Sequence, residues 1–344
     1  MQQVSNQRVI YLDLLRVIAT FAVILSHVSA SEFLASPFSA DRYIAFVYES
    51  LVRWSVPVFV MISGVLFLNP IKEVTYREIL RKRVPRLLLA YVFWTVLYVL
   101  FDYIFTDFES FSIDHLTRAL LFSHFHLWFL PMLMGVYLLI PILRKIAQDK
   151  KLLKYSLVIW LLYVCVSFFS FLSLLQTARH FYALFTMNIV VGYSGYFLLG
   201  YYLSQQSLSK RQRLVAYLVG VLGAFITIAG TIYISRKQGV GDERFCSFLS
   251  FQVMAMAAAL FVLVKQLTPK AGKVVLRFVE WVRKDLFGVY LVHVLWLTLA
   301  NTEPLRHCCS EIITLPLIAV VVFMLSLFTT KLIRMVPILK KVVE

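Results

Sequence analysis

The sequence predicts an all-α, multi-pass integral membrane protein: a bundle of about ten transmembrane helices with both termini in the cytoplasm. Three observations carry this reading. Hydrophobic residues make up 60% of the 344 and charged residues only 15%, against roughly 45–50% and 25% in soluble domains. Apolar runs of about twenty residues, the length that crosses a bilayer, recur from one end to the other. Basic residues gather in alternate gaps between those runs.

The runs fall at 11–31, 45–69, 87–105, 126–143, 155–175, 187–204, 214–235, 247–265, 286–301 and 313–331. Basic clusters follow the second run (Lys72 to Arg86), the fourth (Arg144 to Lys154), the sixth (Lys210, Arg211, Arg213), the eighth (Lys265 to Lys284) and the tenth (Lys331 to Lys341), and Arg8 precedes the first. On this reading 26 of the 34 basic residues share one side of the membrane with seven acidic residues. The other side carries eight basic and eleven acidic residues, among them Asp102, Asp107, Glu109 and Asp114. Lys and Arg mark cytoplasmic loops, so both termini are expected inside. The net charge of +16 is then a topology signal, and its spread over short loops argues against nucleic-acid binding. A basic inner face suits anionic lipid or an anionic cofactor.

The first run could be mistaken for a leader, since Val28-Ser29-Ala30 mimics a cleavage site. Asp13 and Arg16 interrupt its apolar region and nine further runs follow, so it reads as a span. No Gly/Ser-rich or Pro-rich linker divides the chain, and residues 1–344 are expected to form a single transmembrane domain without a separate soluble one. Pro57, Pro131, Pro141 and Pro316 fall inside or at the ends of spans and predict kinks. The segment 106–125, in which Phe108, Phe111, Ile113 and Leu116 alternate with acids, predicts a short interfacial helix, and the basic stretch 72–86 an inner-surface one. Cys165 falls in a span. Cys246, Cys308 and Cys309 lie near outer loops, where a disulfide is open, and no spacing suggests a metal site.

The first span holds the densest chemistry. Arg16 and His27 are eleven positions apart, which at 100° per residue leaves them about 20° from alignment and about 16 Å apart along the axis. Asp13 and Thr20 share that stripe. Asp13 and Arg16 lie near the inner surface, where snorkelling or mutual pairing accounts for them. His27 lies deeper. A buried imidazole there either bridges helices by a hydrogen bond or serves as a general base, and ionisable groups at membrane depth are functional by default. Four further groups carry two readings each. His126 and Trp128 open the fourth span, as interfacial anchors or as a wall on which a sugar ring stacks. His293 follows Tyr290 in the ninth span and either lines a cavity or makes an interhelical hydrogen bond, as do Ser63 and Asn188 in their spans. Glu49 and Arg53, one turn apart, are spaced to pair.

"LDLLRVIATFAVILSH" (12–27) resembles the first-helix signature of the membrane-bound acyltransferase-3 family, a basic residue and a histidine separated by ten others. "SVPVFVMISGVLFL", the Arg-x-x-Arg of "RVPR" (83–86), "HLWFLPMLMGVYLLIPIL", "GYFLLGYYL" and "FGVYLVHVLWL" are similar to its later segments, in order along most of the chain. The resemblance implies a ten-helix enzyme of the bacterial inner membrane. Such an enzyme moves an acyl group, commonly acetyl, from cytoplasmic acyl-CoA to a sugar hydroxyl of a surface polysaccharide or lipid-linked saccharide. It implies that Arg83 and Arg86, with Arg81 and Lys82 nearby, meet the phosphates of CoA. The pantetheine arm would lie along the Arg16–His27 stripe, Arg16 holding the donor or orienting the helix through Asp13. His27 would act as general base or as transient acyl carrier; the sequence leaves both open. Trp128, His126, His293 and Ser63 are the expected acceptor-side residues. Two rival classes remain: a saccharide-precursor transporter, although no matching pair of interrupted helices suggests an inverted repeat, and a membrane sensor or scaffold.

Overall fold

The computed structural model describes residues 10–34, 43–105, 117, 118, 120, 124–169, 189–300 and 310–344. All regular structure in these residues is helical. That follows from the solvent the composition implies, because in hydrocarbon each backbone N–H and C=O must be satisfied within its own segment. In chain order the helices are α1 (Ile10–Leu34), α2 (Tyr43–Val52), α3 (Ser55–Leu68), α4 (Tyr76–Phe105), α5 (Phe129–Leu138), α6 (Ile140–Gln148) and α7 (Lys150–Phe169). They continue with α8 (Ile189–Gln205), α9 (Lys210–Gln238), α10 (Phe251–Leu267), α11 (Lys273–Val282), α12 (Leu286–Ala300), α13 (Glu311–Met335) and the short α14 (Pro337–Lys340).

Each of the ten expected runs carries helix. Six stretches among the described residues are long and apolar enough to cross a membrane: Ile10–Ser31, Tyr43–Leu68, Tyr76–Phe105, Lys210–Gln238, Arg244–Lys270 and Glu311–Met335. Two expected spans differ from a straight rod. The fourth is broken between α5 and α6 by a 58° bend, where Pro141 at the second position of α6 lacks the N–H that would continue the ladder. The ninth, α12, has only 15 residues, about 22 Å of helix. The predicted interfacial helix of 106–125 lies mostly outside the described residues, as do Arg8, Asn188, Cys308 and Cys309. Cys246 is a buried free thiol within hydrogen-bond distance of the Ser50 and Thr231 hydroxyls, so it takes no part in the disulfide left open above.

Polarity is inverted relative to a soluble protein. Val221, Leu222 and Phe225 on α9 are 55–68% exposed, as are Ile312 and Ile313 on α13 at 56% and 60%, while Thr20, Glu49, Arg53, His126, Asp285 and His293 are buried. Apolar flanks face lipid, and polar side chains meet one another inside. α1 is the hub, in contact with α2, α3, α10, α11, α12 and α13. Beside it α3 and α8 approach backbone to backbone. A Cβ on Gly64 would stand 1.9 Å from the Phe197 carbonyl oxygen, and one on Gly200 2.2 Å from that of Met61. Small residues permit such close crossings.

α4 begins under a Thr75 cap whose hydroxyl accepts from the Glu78 N–H. Residues Ile79–Arg83 then form a π-helical turn. The wider turn aligns residues five apart, and the Arg83 guanidinium meets the Glu78 carboxylate at 2.6 Å. At the far end of the chain, Asp285 pairs with Lys331 and Arg334, and Arg334 with Glu344. The Trp94 indole donates to the Val342 carbonyl. These contacts seat residues 336–344 against α4, α12 and α13.

Candidate active site

Two cavities open along α1. The first, of about 350 Å³, is basic: Arg16, Arg83, Arg86, Arg283 and Lys284 line it, with Glu344 as its carboxylate. The second, of about 660 Å³, is lined by His27, His126, Trp128, Phe248 and the ionic group Glu49, Arg53 and Glu243. Val23, Val56, Phe129 and Tyr290 line both. These four side chains form a septum, one from each of α1, α3, α5 and α12.

In the basic cavity the expected residues divide. Arg16 reaches it from α1, with Asp13 at 3.6 Å and the Thr20 hydroxyl donating to its carbonyl. Arg83 and Arg86 reach it from α4, Arg83 lying over the Phe67 ring as well as against Glu78. Ser63 lines it while its hydroxyl donates to the Phe59 carbonyl on its own helix. Arg81 and Lys82 are exposed on the π turn and line neither cavity, because successive residues of a helical turn face different ways.

Four imidazoles gather beside the second cavity from three parts of the chain; His27 and His126 line it, whereas His124 and His293 line neither cavity. The His27 ring is 5.2 Å from that of His293 and 6.5 Å from that of His126, centroid to centroid, and His126 and His293 are 5.3 Å apart. His124 stands behind His126, their Nδ1 atoms 3.0 Å apart, and its Nε2 is 3.8 Å from Asp102. Burial holds the His124 imidazole down at about 4, so it is neutral at physiological pH. Tyr98 stacks on His124 at 4.5 Å and meets His126 edge-on at 4.8 Å. The Tyr290 hydroxyl donates to the His126 carbonyl. His293 does not make the interhelical hydrogen bond weighed above. Its Nδ1 is 2.6 Å from the Tyr290 carbonyl one turn back on its own helix, and its Nε2 is buried without a partner among the described residues. No group of three or more His, Cys, Asp and Glu among the described residues is arranged to hold a metal ion.

Opposite the imidazoles lies the ionic group. Arg53 Nη2 is 2.7 Å from both Glu49 and Glu243, and the Ser26 hydroxyl donates to the Glu49 carboxylate. The expected Glu49–Arg53 pair is therefore present and is extended by a third member from the α9–α10 connection. Trp128 stacks on Phe248 at 5.8 Å, and Arg53 lies over the same Phe248 ring. Aromatic faces beside hydrogen-bonding charged groups form a surface that accepts a ring with an apolar face and polar edges.

A family model for the acyltransferase domain of acyltransferase family 3 matches residues 9–334. The chain belongs to this family. It is also similar to proteins described as probable poly-beta-1,6-N-acetyl-D-glucosamine export proteins of Staphylococcus aureus, in strains Mu50, MSSA476 and MRSA252. Each is 22% identical over 254 residues, a stretch covering 72% of this chain and 70% of the relative. No solved structure matches. The helical spacing of α1 pointed to Arg16 and His27 and the family resemblance to Arg83 and Arg86; neither pointed to Asp102, His124, Tyr98, Tyr290 or Glu243. His124 has a legible signal in the His-x-His of "SHFHLW". For Asp102 and Glu243 no local pattern existed, because their partners lie 22 and 190 residues away.

Proposed function

We propose that this membrane acyltransferase moves an acetyl or related acyl group from cytoplasmic acyl-CoA to a saccharide hydroxyl on the far side of the membrane. The observation that carries the proposal is the septum: a basic cavity and an imidazole cavity share four side chains along one helix. Acyl-CoA is a polyanion that the bilayer excludes. Its phosphates suit the guanidinium groups of Arg16, Arg83 and Arg86, and the thioester then needs to pass only Val23, Val56, Phe129 and Tyr290 to reach His27. The basic loops favour the cytoplasm as the side of this cavity and of both termini, in a ten-span bundle of a bacterial inner membrane.

The chemistry is a balanced exchange. The acceptor oxygen bonds to the acyl carbon, the C–S bond breaks, the hydroxyl proton leaves to an imidazole, and the thiolate takes a proton from water. His27 supplies either the base or a transient acyl carrier. Trp128 and Phe248 provide a stacking surface for a sugar ring, with Glu49 and Glu243 as hydrogen-bond acceptors.

The description of the similar S. aureus proteins as probable export proteins supports a second reading, export of the saccharide itself. One experiment separates the two. Cells with and without the chain are compared by glycan mass spectrometry, and purified protein is assayed for acyl-CoA turnover in detergent. Added acyl mass on the glycan and turnover without a gradient support the enzyme. Unchanged glycan masses with altered surface amounts support export.

A further inference from the structure

The cluster behind His126 holds more ordering than a substrate wall requires. Asp102 faces His124 Nε2 at 3.8 Å, the two Nδ1 atoms of His124 and His126 are 3.0 Å apart, and His126 Nε2 is buried with no hydrogen-bond partner among the described residues. The Asp102–His124 separation is beyond hydrogen-bond distance here; catalytic contacts of this kind often tighten only when substrate binds. A carboxylate only accepts, so Asp102 favours a proton on His124 Nε2. A neutral imidazole carries one N–H, which leaves His124 Nδ1 as the acceptor and His126 Nδ1 as the donor of their shared hydrogen bond. His126 Nε2 is then a bare lone pair at the cavity. The Leu291 carbonyl accepts from the Tyr98 hydroxyl at 2.7 Å. Tyr98 also clamps both rings by stacking and edge contact.

We propose that Asp102, His124 and His126 form a relay that removes the proton of the acceptor hydroxyl, which leaves His27 to carry the acyl group. The proposal rests on the acyl-transfer reading above. His27 Nitrogen attacks the thioester carbon, the C–S bond breaks and CoA leaves as thiolate. The acceptor oxygen then bonds to the acyl carbon, the bond from carbon to His27 breaks, and the hydroxyl proton goes to His126 Nε2. The His126 Nδ1 proton passes to His124 Nδ1 and the His124 Nε2 proton to Asp102; once the ester has left, the protons return along the same path and His126 Nε2 gives its proton to water, which restores the starting tautomers. The thiolate takes a proton from water at the basic cavity, so no other reactant is needed. The 6.5 Å between the His27 and His126 centroids leaves room for an acyl carbon and an attacking oxygen between the rings. His126 is the catalytic base in this scheme, and His124 and Asp102 are positioning residues. Besides these, the titratable groups that face His126 are His27, Tyr98, Tyr290 and His293.

The test has two arms. In the first, membranes containing the full chain and their endogenous acceptor receive ¹⁴C-acetyl-CoA, and label in the glycan fraction is counted. Asp102→Asn, His124→Phe and His126→Gly should each lower kcat, by roughly 10²-fold for His126→Gly, with kcat/KM for acetyl-CoA unchanged, because acylation of His27 precedes the step that His126 serves. Added imidazole should restore His126→Gly in part and leave the wild type unaltered. Wild-type rates in all three variants, or a His126→Gly protein that is folded and deaf to imidazole, would overturn the relay. The second arm needs no acceptor: ¹⁵N spectra of histidine-labelled protein report which ring nitrogens carry protons. A bare His126 Nε2 that gains its proton in Asp102→Asn supports the relay, and a protonated Nε2 in the wild type overturns it. If wild-type membranes transfer no label, the acyl-transfer reading fails while the spectra still decide the tautomer.

Discussion

Arg16 and His27 share one face of one helix, eleven residues apart, yet they line different cavities. The side chain between them that belongs to both cavities is Val23. A continuous groove along the stripe, as the spacing alone suggests, is thus interrupted at mid-helix by four side chains. Under the proposed function, these four side chains separate the donor's phosphates from the acceptor side and are the place where transfer is controlled.

Filling the septum should separate donor binding from transfer. Val23→Trp places a large ring where the cavities meet, at a folding cost of about 1–3 kcal/mol. Acyl-CoA binding, read by equilibrium dialysis of labelled acetyl-CoA, should persist, while acyl transfer falls below detection. Normal transfer in a folded Val23→Trp protein would mean that the acyl group takes another path.

The basic cavity should govern KM. Arg16→Ala, Arg83→Ala and Arg86→Ala each remove a guanidinium whose charged hydrogen bonds are worth roughly 1.5–3 kcal/mol. KM for acyl-CoA should rise by about ten- to a hundredfold per residue. Arg81→Ala and Lys82→Ala, whose side chains line neither cavity, should leave it within a factor of two or three. Steady-state kinetics on purified protein across an acyl-CoA titration checks both halves.

The buried ionic group should be a stability element as well as a wall. Arg53→Ala strands the Glu49 carboxylate, whose side chain is 1% exposed. Breaking such a pair from one side costs on the order of 3–5 kcal/mol. Glu49→Gln combined with Arg53→Met removes both charges and should recover most of that loss. Thermal unfolding in detergent, followed by tryptophan fluorescence, reads the difference.

The α3–α8 crossing should tolerate no side chain. Gly64→Ala puts a Cβ 1.9 Å from a backbone oxygen, which only separation of the two helices relieves. A loss of about 1–3 kcal/mol is expected, seen as a lower unfolding temperature. Gly272→Ala, where a Cβ meets nothing within 4 Å, is the control.

Hydropathy made the helices legible, because lipid requires long apolar runs and the 344 residues contain little else. The bend between α5 and α6 was legible only as Pro141, since its 58° angle depends on what packs around it. The Arg16–His27 stripe and the Glu49–Arg53 pair were legible because helical periodicity brings residues together locally, and Arg83 and Arg86 through the resemblance of RVPR to a family motif. The four-imidazole cluster was not. It joins residues 27, 124, 126 and 293, and no spacing rule connects separate elements. His293 illustrates the limit: its position suggested an interhelical bond, whereas its Nδ1 takes the Tyr290 carbonyl on its own helix and its Nε2 has no partner among the described residues.

The central claim is that the acyl group passes from CoA in the basic cavity to His27 in the other. The most direct test is transfer of label from ¹⁴C-acetyl-CoA to the glycan fraction by wild-type and His27→Ala proteins of equal expression and thermal stability. The account predicts a loss of roughly 10²–10⁴-fold in His27→Ala with acyl-CoA binding intact. Transfer by His27→Ala at the wild-type rate would contradict it.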